Sequence, residues 1–216
     1  MLMTPKVIQA FVEARMATDH SGHDVAHIQR VAQLCDVLLT NYPEADAAIT
    51  MSAAWTHDIL DDKLVADIAP VRRQLMTTYA EAGLTADQIA AITAITAHLS
   101  FSANLKQHYQ LSLEGQIVQD ADRLDALGAI GIGRAFYYGA HTGAPMYDPD
   151  IAPRTTMTKA DYRQKSPVIN HFYEKLFKLG DLMNTPEAKK IADERITFMQ
   201  TFVSQFKSEW HLDNNF

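Results

Sequence analysis

The feature that most constrains the fold of this chain is the helical spacing of its apolar residues. They recur at intervals of three and four along most of the sequence, as they do on one face of an α-helix. No segment shows convincing strand alternation, and no repeat of fixed period is present. With 216 residues, 47% of them hydrophobic, the chain can bury a sizeable core. We therefore predict an all-α fold, a compact helical bundle with additional C-terminal helices.

Residue signals at the helix ends divide this pattern into elements. Thr85, followed by Gln88, is predicted to cap one helix, and Thr185 with Pro186 is predicted to open the last one. The predicted helices cover residues 5–17, about 23–40, about 44–60 and 67–82, a fifth after Thr85, a sixth after Ser112-Leu113-Glu114-Gly115, and two final ones at about 168–183 and 187–209. We expect residues 1–216 to form a single domain.

Residues 139–165 interrupt the helical pattern. They contain three prolines and two glycines and show little periodicity. An irregular segment of this length inside a domain is typical of a lid or a binding loop. We therefore predict an irregular loop at 139–165, between a core at about 20–140 and a C-terminal helical pair at 166–210.

Charge and cysteine content exclude several classes of protein. The net charge is −7 with a pI of about 5.7, and no run of Lys or Arg stands out, which argues against binding to polymeric nucleic acid. The single Cys35 excludes an internal disulfide and a multi-cysteine zinc site. The first residues form an amphipathic pattern rather than a signal peptide or a membrane span, so we expect a cytoplasmic protein without a membrane partner.

An acidic residue stands where the third predicted helix should be apolar. Met51, Ala54 and Trp55 are spaced as one helix face, and continuing that spacing leads to Asp58, which follows His57. A carboxylate on a core face is costly unless it has a partner. A metal ion would suit an adjacent His and Asp, and a buried hydrogen-bonded pair is the alternative.

Two other predicted helices carry a residue of the metal-binding type beside an apolar stripe. His27 flanks the stripe of the second helix, and Asp122 follows Val118 by four residues on the sixth. With His57 and Asp58, they would supply two imidazoles and two carboxylates, which neutralise a divalent cation and leave positions for water or substrate. Each residue taken alone is equally well explained as a hydrogen-bonded or solvated group, so the residues leave both interpretations open.

The order and setting of these residues resemble the HD superfamily of metal-dependent phosphohydrolases. The matching core motifs are His27-Ile28-Gln29-Arg30-Val31, Trp55-Thr56-His57-Asp58 and Asp120-Ala121-Asp122-Arg123-Leu124-Asp125-Ala126-Leu127-Gly128. The C-terminal part is similar to a bacterial branch of small stand-alone HD proteins, through 128–138, His171-Phe172-Tyr173-Glu174-Lys175-Leu176 and Glu209-Trp210. The resemblance implies an HD-type helical bundle and hydrolysis of a phosphoester or pyrophosphate bond, often in a nucleotide.

The resemblance also implies a cofactor and its ligands. One divalent ion would be held by His27, His57, Asp58 and Asp122, with Mn²⁺ expected and Mg²⁺, Co²⁺, Ni²⁺, Fe²⁺ and Zn²⁺ as alternatives. A dinuclear HD phosphodiesterase would need further His ligands before the last Asp, where only His98 and His108 are available. The third alternative is an HD module that retains the metal and senses a nucleotide without turnover. A homodimer is compatible with the sequence.

Catalytic and phosphate-binding residues are predicted around these ligands. A local similarity to (p)ppGpp hydrolase domains nominates Asp61 and Asp62 as the residues that orient or deprotonate the attacking water, although a solvated helix end would explain them as well. The residues predicted to contact phosphate or the leaving group are Lys63, Arg30, His23 and His98. For these, surface ion pairs and hydrogen bonds within the core are the alternatives. The expected substrate is a small nucleotide or another phosphorylated molecule.

Overall fold

The computed structural model describes residues 5–17, 24–60, 67–99, 109–156 and 164–210. Within them the chain is all-α, as predicted, and no strand is present in the described ranges. The α-helices are α1 (Lys6–Met16), α2 (Val25–Leu39), α3 (Ala47–Thr56), α4 (Ile68–Glu81), α5 (Ala86–His98), α6 (Leu113–Asp125), α7 (Gly128–Thr142), α8 (Val168–Glu174) and α9 (Pro186–Trp210). A 3-10 helix, Leu176–Leu182, lies between α8 and α9. The chain divides into two compact units, Met1–Asp122 and Arg123–Phe216.

Helix α3 lies at the centre of the first unit. It packs against α1, α2 and α5, and residues 50–56 are buried on every side. A helix that is apolar all round is expected in such a position. The side chain of Asp46 caps its first turn by accepting hydrogen bonds from the N–H groups of Ala48 and Ile49. Helix α3 ends at Thr56, so the prediction of a helix to residue 60 is wrong, and His57 to Leu60 form a turn.

Two capping predictions hold in the described residues. Thr85 and Gln88 form a reciprocal capping box at the start of α5. Helix α9 begins at Pro186, where the Thr185 hydroxyl accepts a hydrogen bond from the Ala188 N–H at 3.4 Å. Both arrangements satisfy backbone donors that have no partner inside the helix.

In the second unit, α7 packs against α8 and α9, and an aromatic cluster fills the space between these helices. The ring centroid of Phe136 lies 6.4 Å from that of Phe172 and 6.0 Å from that of Phe202, within the range of favourable aromatic contacts. The predicted helix at 168–183 is two elements, because Lys175 leaves the helical region with φ −134° and the chain continues as a 3-10 helix. Gly180 in that 3-10 helix allows close packing, since a Cβ there would lie 2.7 Å from Ile196 Cδ1.

The irregular segment begins later than predicted. Helix α7 continues to Thr142 and ends at Gly143, whose φ of +67° is the left-handed conformation that commonly closes a helix. Residues 143–156 then run without a helix and return to the start of α8, where the N–H groups of Val168 and Ile169 donate to the carbonyls of Pro145 and Met146. The described part of this segment is therefore held by backbone hydrogen bonds.

Candidate metal centre

Three elements of the first unit bring four ligand-type side chains together. His27 lies in the first turn of α2, where its N–H donates to the Asp24 carboxylate that caps the helix. His57 and Asp58 follow the end of α3, and Asp122 lies on α6. The structure thus groups His27, His57 and Asp122, and it places Asp58 beside the two histidines, with His57 and Asp58 on a turn rather than inside a helix.

The ligand atoms of these side chains face one another closely. The two imidazole Nε2 atoms are 3.3 Å apart. Asp58 Oδ2 lies 3.5 Å from His27 Nε2 and 3.4 Å from His57 Nε2, and Asp122 Oδ1 lies 3.5 and 3.8 Å from the same atoms. The ligand atoms of His27, His57 and Asp122 all lie within 4.8 Å of one another, and Asp58 Oδ2 lies beside the two imidazoles.

A backbone contact orients His57. Its Nδ1 is 2.8 Å from the carbonyl oxygen of Ala54, one turn earlier in α3. Because a carbonyl only accepts, Nδ1 carries the hydrogen and donates it, which leaves the lone pair of Nε2 directed at the cluster. Metal-binding histidines are usually oriented by such a bond from their second nitrogen.

Asp58 has a buried oxygen without a hydrogen-bond donor. No donor among the described residues bonds Oδ2, although the side chain is only 15% exposed. Burial by itself would raise the pKa of Asp58, but the nearby His57 and His27 hold it well below the usual value. The carboxylate is therefore ionised, and one of its oxygens is left for a positively charged partner.

The carboxylates raise the pKa of the His57 imidazole, whereas the imidazoles lower the pKa of Asp58. Burial would lower the pKa of His57, yet Asp58 first and Asp122 second raise it to about 9. Both acids therefore create a negative potential at the imidazole nitrogens. A positive charge in the cluster is favoured by the same field, whether it is a proton or a cation.

The donor set fits a divalent cation. Ligands bonded at about 2.1 Å stand about 3.0 Å apart in an octahedron and about 3.4 Å apart in a tetrahedron. The observed separations of 3.3 to 3.8 Å are close to these values. His27, His57 and Asp122 could therefore hold a metal ion, and Asp58 has an unsatisfied oxygen beside the two histidines. A donor set of imidazole and carboxylate suits several divalent ions.

Two further predicted residues lie in described segments. Arg30 follows His27 by three residues on α2 and is half-buried. His98, at the end of α5, stacks on Tyr109 with ring centroids 3.9 Å apart. Asp61, Asp62, Lys63 and His23 lie outside the described residues, so their roles stay predictions.

A buried hydroxyl pair beside His57, formed by Thr56 and Tyr79, was not predicted from the sequence. The Thr56 hydroxyl donates to the Ser52 carbonyl at 2.7 Å, so the Tyr79 hydroxyl, 2.6 Å away, donates to Thr56. Burial raises the pKa of Tyr79 and keeps it neutral. The two residues are 23 positions apart and on different helices, and no local pattern links them.

Cys35 lies on the same helix as His27. It is fully buried, and burial raises the pKa of its thiol, with a further contribution from the negative charge of Asp122. The thiol is therefore protonated and is a poor metal ligand. The structure thus keeps the cluster to nitrogen and oxygen donors in the described residues.

The fold and the cluster define an all-α protein with a mixed His and Asp centre suited to a divalent metal. A crystal structure of a Lactobacillus plantarum protein is 48% identical, with a TM-score of 0.85, and covers 96% of this chain and 97% of that one. An HD-superfamily hydrolase from Bacillus thuringiensis is 38% identical over 96% of both chains, with a TM-score of 0.72.

Bacillus subtilis YpgQ is 32% identical over 203 residues, which are 94% of this chain and 91% of YpgQ. Its crystal structure in complex with ADP has a TM-score of 0.73 and covers 95% of this chain and 94% of that one. No family model matches the chain. The similarity to the Bacillus thuringiensis hydrolase nevertheless extends over nearly the whole length of both proteins.

The chain belongs to the HD superfamily of hydrolases. It is an enzyme, a metal-dependent phosphohydrolase of this superfamily. None of the described helices combines the length and the apolar composition needed to cross a bilayer.

Proposed function

We propose that the enzyme hydrolyses a phosphoester or pyrophosphate bond of a nucleotide, in the manner of a (d)NTP pyrophosphohydrolase, with one divalent ion. The observation that carries this proposal is the cluster of His27, His57, Asp58 and Asp122, in which a buried carboxylate oxygen has no described donor. The complex of the relative YpgQ with ADP supports a nucleotide as the substrate class. Mn²⁺ is the proposed ion, because the resemblance to HD phosphohydrolases implies it and the donor set of imidazole and carboxylate is compatible with it.

The four clustered residues would hold the ion, and His57 would do so through Nε2, because its Nδ1 is bonded to Ala54. When bound, a divalent cation supplies Lewis acidity, which polarises a phosphoryl oxygen and lowers the pKa of a nearby water. Asp61 or Asp62 would orient that water or accept its proton.

The remaining predicted residues would act on the substrate. Lys63 and Arg30 would bind phosphate oxygens, and an arginine can do so through two parallel hydrogen bonds. His23 and His98 would contact the leaving group. Positively charged side chains are needed here because the protein itself has a net charge of −7, which would otherwise repel a nucleotide.

The test is a panel of nucleoside mono-, di- and triphosphates assayed with Mn²⁺, Mg²⁺, Co²⁺ and Ni²⁺. We expect release of phosphate or pyrophosphate from at least one nucleotide, and loss of that activity in His57→Ala. Equal activity in wild type and His57→Ala would refute the proposal.

Metal analysis of the same preparations distinguishes the alternatives. One bound ion per chain with turnover supports the proposal. Two ions per chain would instead support a dinuclear phosphodiesterase. Nucleotide binding without any product would support a sensing module that retains its metal.

A further inference from the structure

Thr56 is the residue at which the chain changes from helix α3 to the turn that carries His57 and Asp58. It is the last residue of α3, and its hydroxyl donates to the Ser52 carbonyl, four residues back, at 2.7 Å. Its own carbonyl accepts a hydrogen bond from the N–H of Ile59, only three residues ahead, at 3.2 Å. A regular α-helix would place that bond at the fourth residue, so the backbone tightens at Thr56.

This change of backbone brings two neighbouring side chains to one place. Adjacent residues of an α-helix are rotated by about 100° and do not face each other. In the turn, by contrast, Asp58 Oδ2 lies 3.4 Å from His57 Nε2, and these two atoms lie 3.5 and 3.3 Å from His27 Nε2. The point at which α3 ends therefore affects whether both side chains can reach one cation.

A tyrosine from another helix holds Thr56 in place. The Tyr79 hydroxyl, on α4, donates to Thr56 Oγ1 at 2.6 Å. Tyr79 is 1% exposed, and Val71 and Leu75 on the same helix are also buried, so packing fixes the position of its ring. Both helices belong to the first unit. The Tyr79 hydroxyl is thus a fixed donor at the point where α3 ends.

We propose that Tyr79, acting through Thr56, positions the turn that holds His57 and Asp58 for metal binding. Tyr79 is a positioning residue in this proposal and not a ligand. Without its hydroxyl, the buried Thr56 oxygen loses a donor and the end of α3 loses its bond to α4. Even a small displacement of the turn matters, because metal–ligand distances tolerate only about 0.2 Å. Loss of one oxygen atom should therefore weaken metal binding while the fold remains intact.

Helix α3 contains a matched control near its other end. The Thr50 hydroxyl donates to the Asp46 carbonyl, again four residues back, at 3.0 Å. Thr50 and Thr56 are buried to the same degree, with exposures of 0% and 1%. Valine at either position removes the hydroxyl and nearly keeps the shape of the side chain, but only Thr56 adjoins His57.

The experiment measures Mn²⁺ affinity by calorimetry and the absorption spectrum of bound Co²⁺ in full-length Tyr79→Phe, Thr56→Val, Thr56→Ser and Thr50→Val. Urea unfolding with a chelator measures the stability of each variant. We expect Tyr79→Phe and Thr56→Val to weaken Mn²⁺ binding about tenfold and to change the Co²⁺ spectrum. Thr56→Ser, which keeps the hydroxyl, should bind Mn²⁺ as the wild type does. Thr50→Val should keep wild-type affinity even where its stability falls.

The double variant Tyr79→Phe/Thr56→Val tests whether the two hydroxyls act together. Each single substitution breaks the same hydrogen bond, so the losses of affinity should not add. The double variant should therefore bind Mn²⁺ at most about twofold more weakly than either single variant. Losses that multiply to about 100-fold would show that the two hydroxyls act separately, which would contradict the inference.

Two further results would overturn the inference: wild-type affinity in Tyr79→Phe, or an equal loss of affinity in Thr50→Val. If Tyr79→Phe does not fold, Thr56→Val and Thr56→Ser decide, and equal affinity in these two would overturn it. The inference rests on the proposed metal site, so His57→Ala is measured alongside. Wild-type affinity in His57→Ala, or no Mn²⁺ binding by the wild type, would refute the metal site itself. Binding that is lost in His57→Ala but kept in Tyr79→Phe would refute only this inference.

Discussion

The two units bury carboxylates in opposite ways. Glu174 in the second unit accepts hydrogen bonds from the backbone N–H and the guanidinium of Arg154 and from the Ser166 hydroxyl, at 2.5 to 3.2 Å. Asp58 in the first unit has two imidazoles nearby, yet no described donor bonds its Oδ2. A carboxylate that the protein satisfies by itself stabilises the fold. A carboxylate with an oxygen that accepts no hydrogen bond is suited to binding a cation.

The largest expected effect comes from changing the unsatisfied carboxylate. Asp58→Asn should weaken Mn²⁺ binding and turnover more than about 100-fold, because it removes a charged ligand. The free energy of unfolding measured with a chelator should change less than in Glu174→Gln, since Oδ2 has no described hydrogen bond to lose. Calorimetry measures the Mn²⁺ affinity, and urea unfolding measures the free energy of unfolding. A stability loss with unchanged Mn²⁺ affinity would make Asp58 a structural residue.

Glu174→Gln should give the reverse pattern. The substitution leaves Arg154 without its ionised partner, so we expect the free energy of unfolding to fall by about 2 kcal/mol, below the range for a fully buried pair because Arg154 is 27% exposed. Urea unfolding at pH 7 measures this change. Mn²⁺ affinity should stay at the wild-type value. A large loss of affinity would show that Glu174 and Asp58 do not differ in their effect on metal binding.

The pH dependence of stability should sharpen this contrast. Although burial opposes it, the hydrogen bonds from Arg154 lower the pKa of Glu174 from its usual 4.5. Its contribution is therefore complete above pH 4.5 and is lost as the pH falls through the lower pKa of the folded state. The difference in unfolding free energy between wild type and Glu174→Gln should be constant from pH 7 to 5 and shrink below 4.5. A difference that grows on acidification would contradict this assignment.

An exposed ion pair should have the smallest effect. Lys189 lies 2.7 Å from Asp193, with side chains 42% and 56% exposed, in the i, i+4 arrangement on α9. Solvent and salt screen such a pair. Lys189→Met should leave the urea midpoint and the Mn²⁺ affinity at wild-type values. A midpoint shift as large as that of Glu174→Gln would show that the exposure of an ion pair does not determine its contribution to stability.

Sequence periodicity predicted the helices better than their ends. The stripes of α2 and α5 are regular, and the Thr85 capping box has a recognisable spacing, so these elements were predictable. The end of α3 was not, because Ile59 and Leu60 continue the apolar pattern beyond Thr56. The break at Lys175 was also missed, since the segments on both sides are apolar and the departure is in the backbone.

The same distinction applies to the candidate site. The sequence nominates four ligand-type residues because each lies in a short motif and the motifs occur in a known order, and the structure groups three of them, His27, His57 and Asp122. Polar pairs that join distant positions of the sequence were not predictable. The pairs Arg134–Asp125, Arg154–Glu174 and Tyr79–Thr56 join positions 9, 20 and 23 residues apart, beyond the i, i+3 and i, i+4 contacts that a sequence pattern reveals.

The single cysteine gives this molecule a built-in chemical reporter. Cys35 is fully enclosed, its thiol is kept protonated, and it shares α2 with His27. A thiol-specific reagent can therefore modify it only when that helix opens, so the labelling rate measures the opening of the first unit. An ion that bridges His27 to the turn after α3 would make that opening rarer. Labelling with and without Mn²⁺ would then report occupancy of the centre without any knowledge of the substrate.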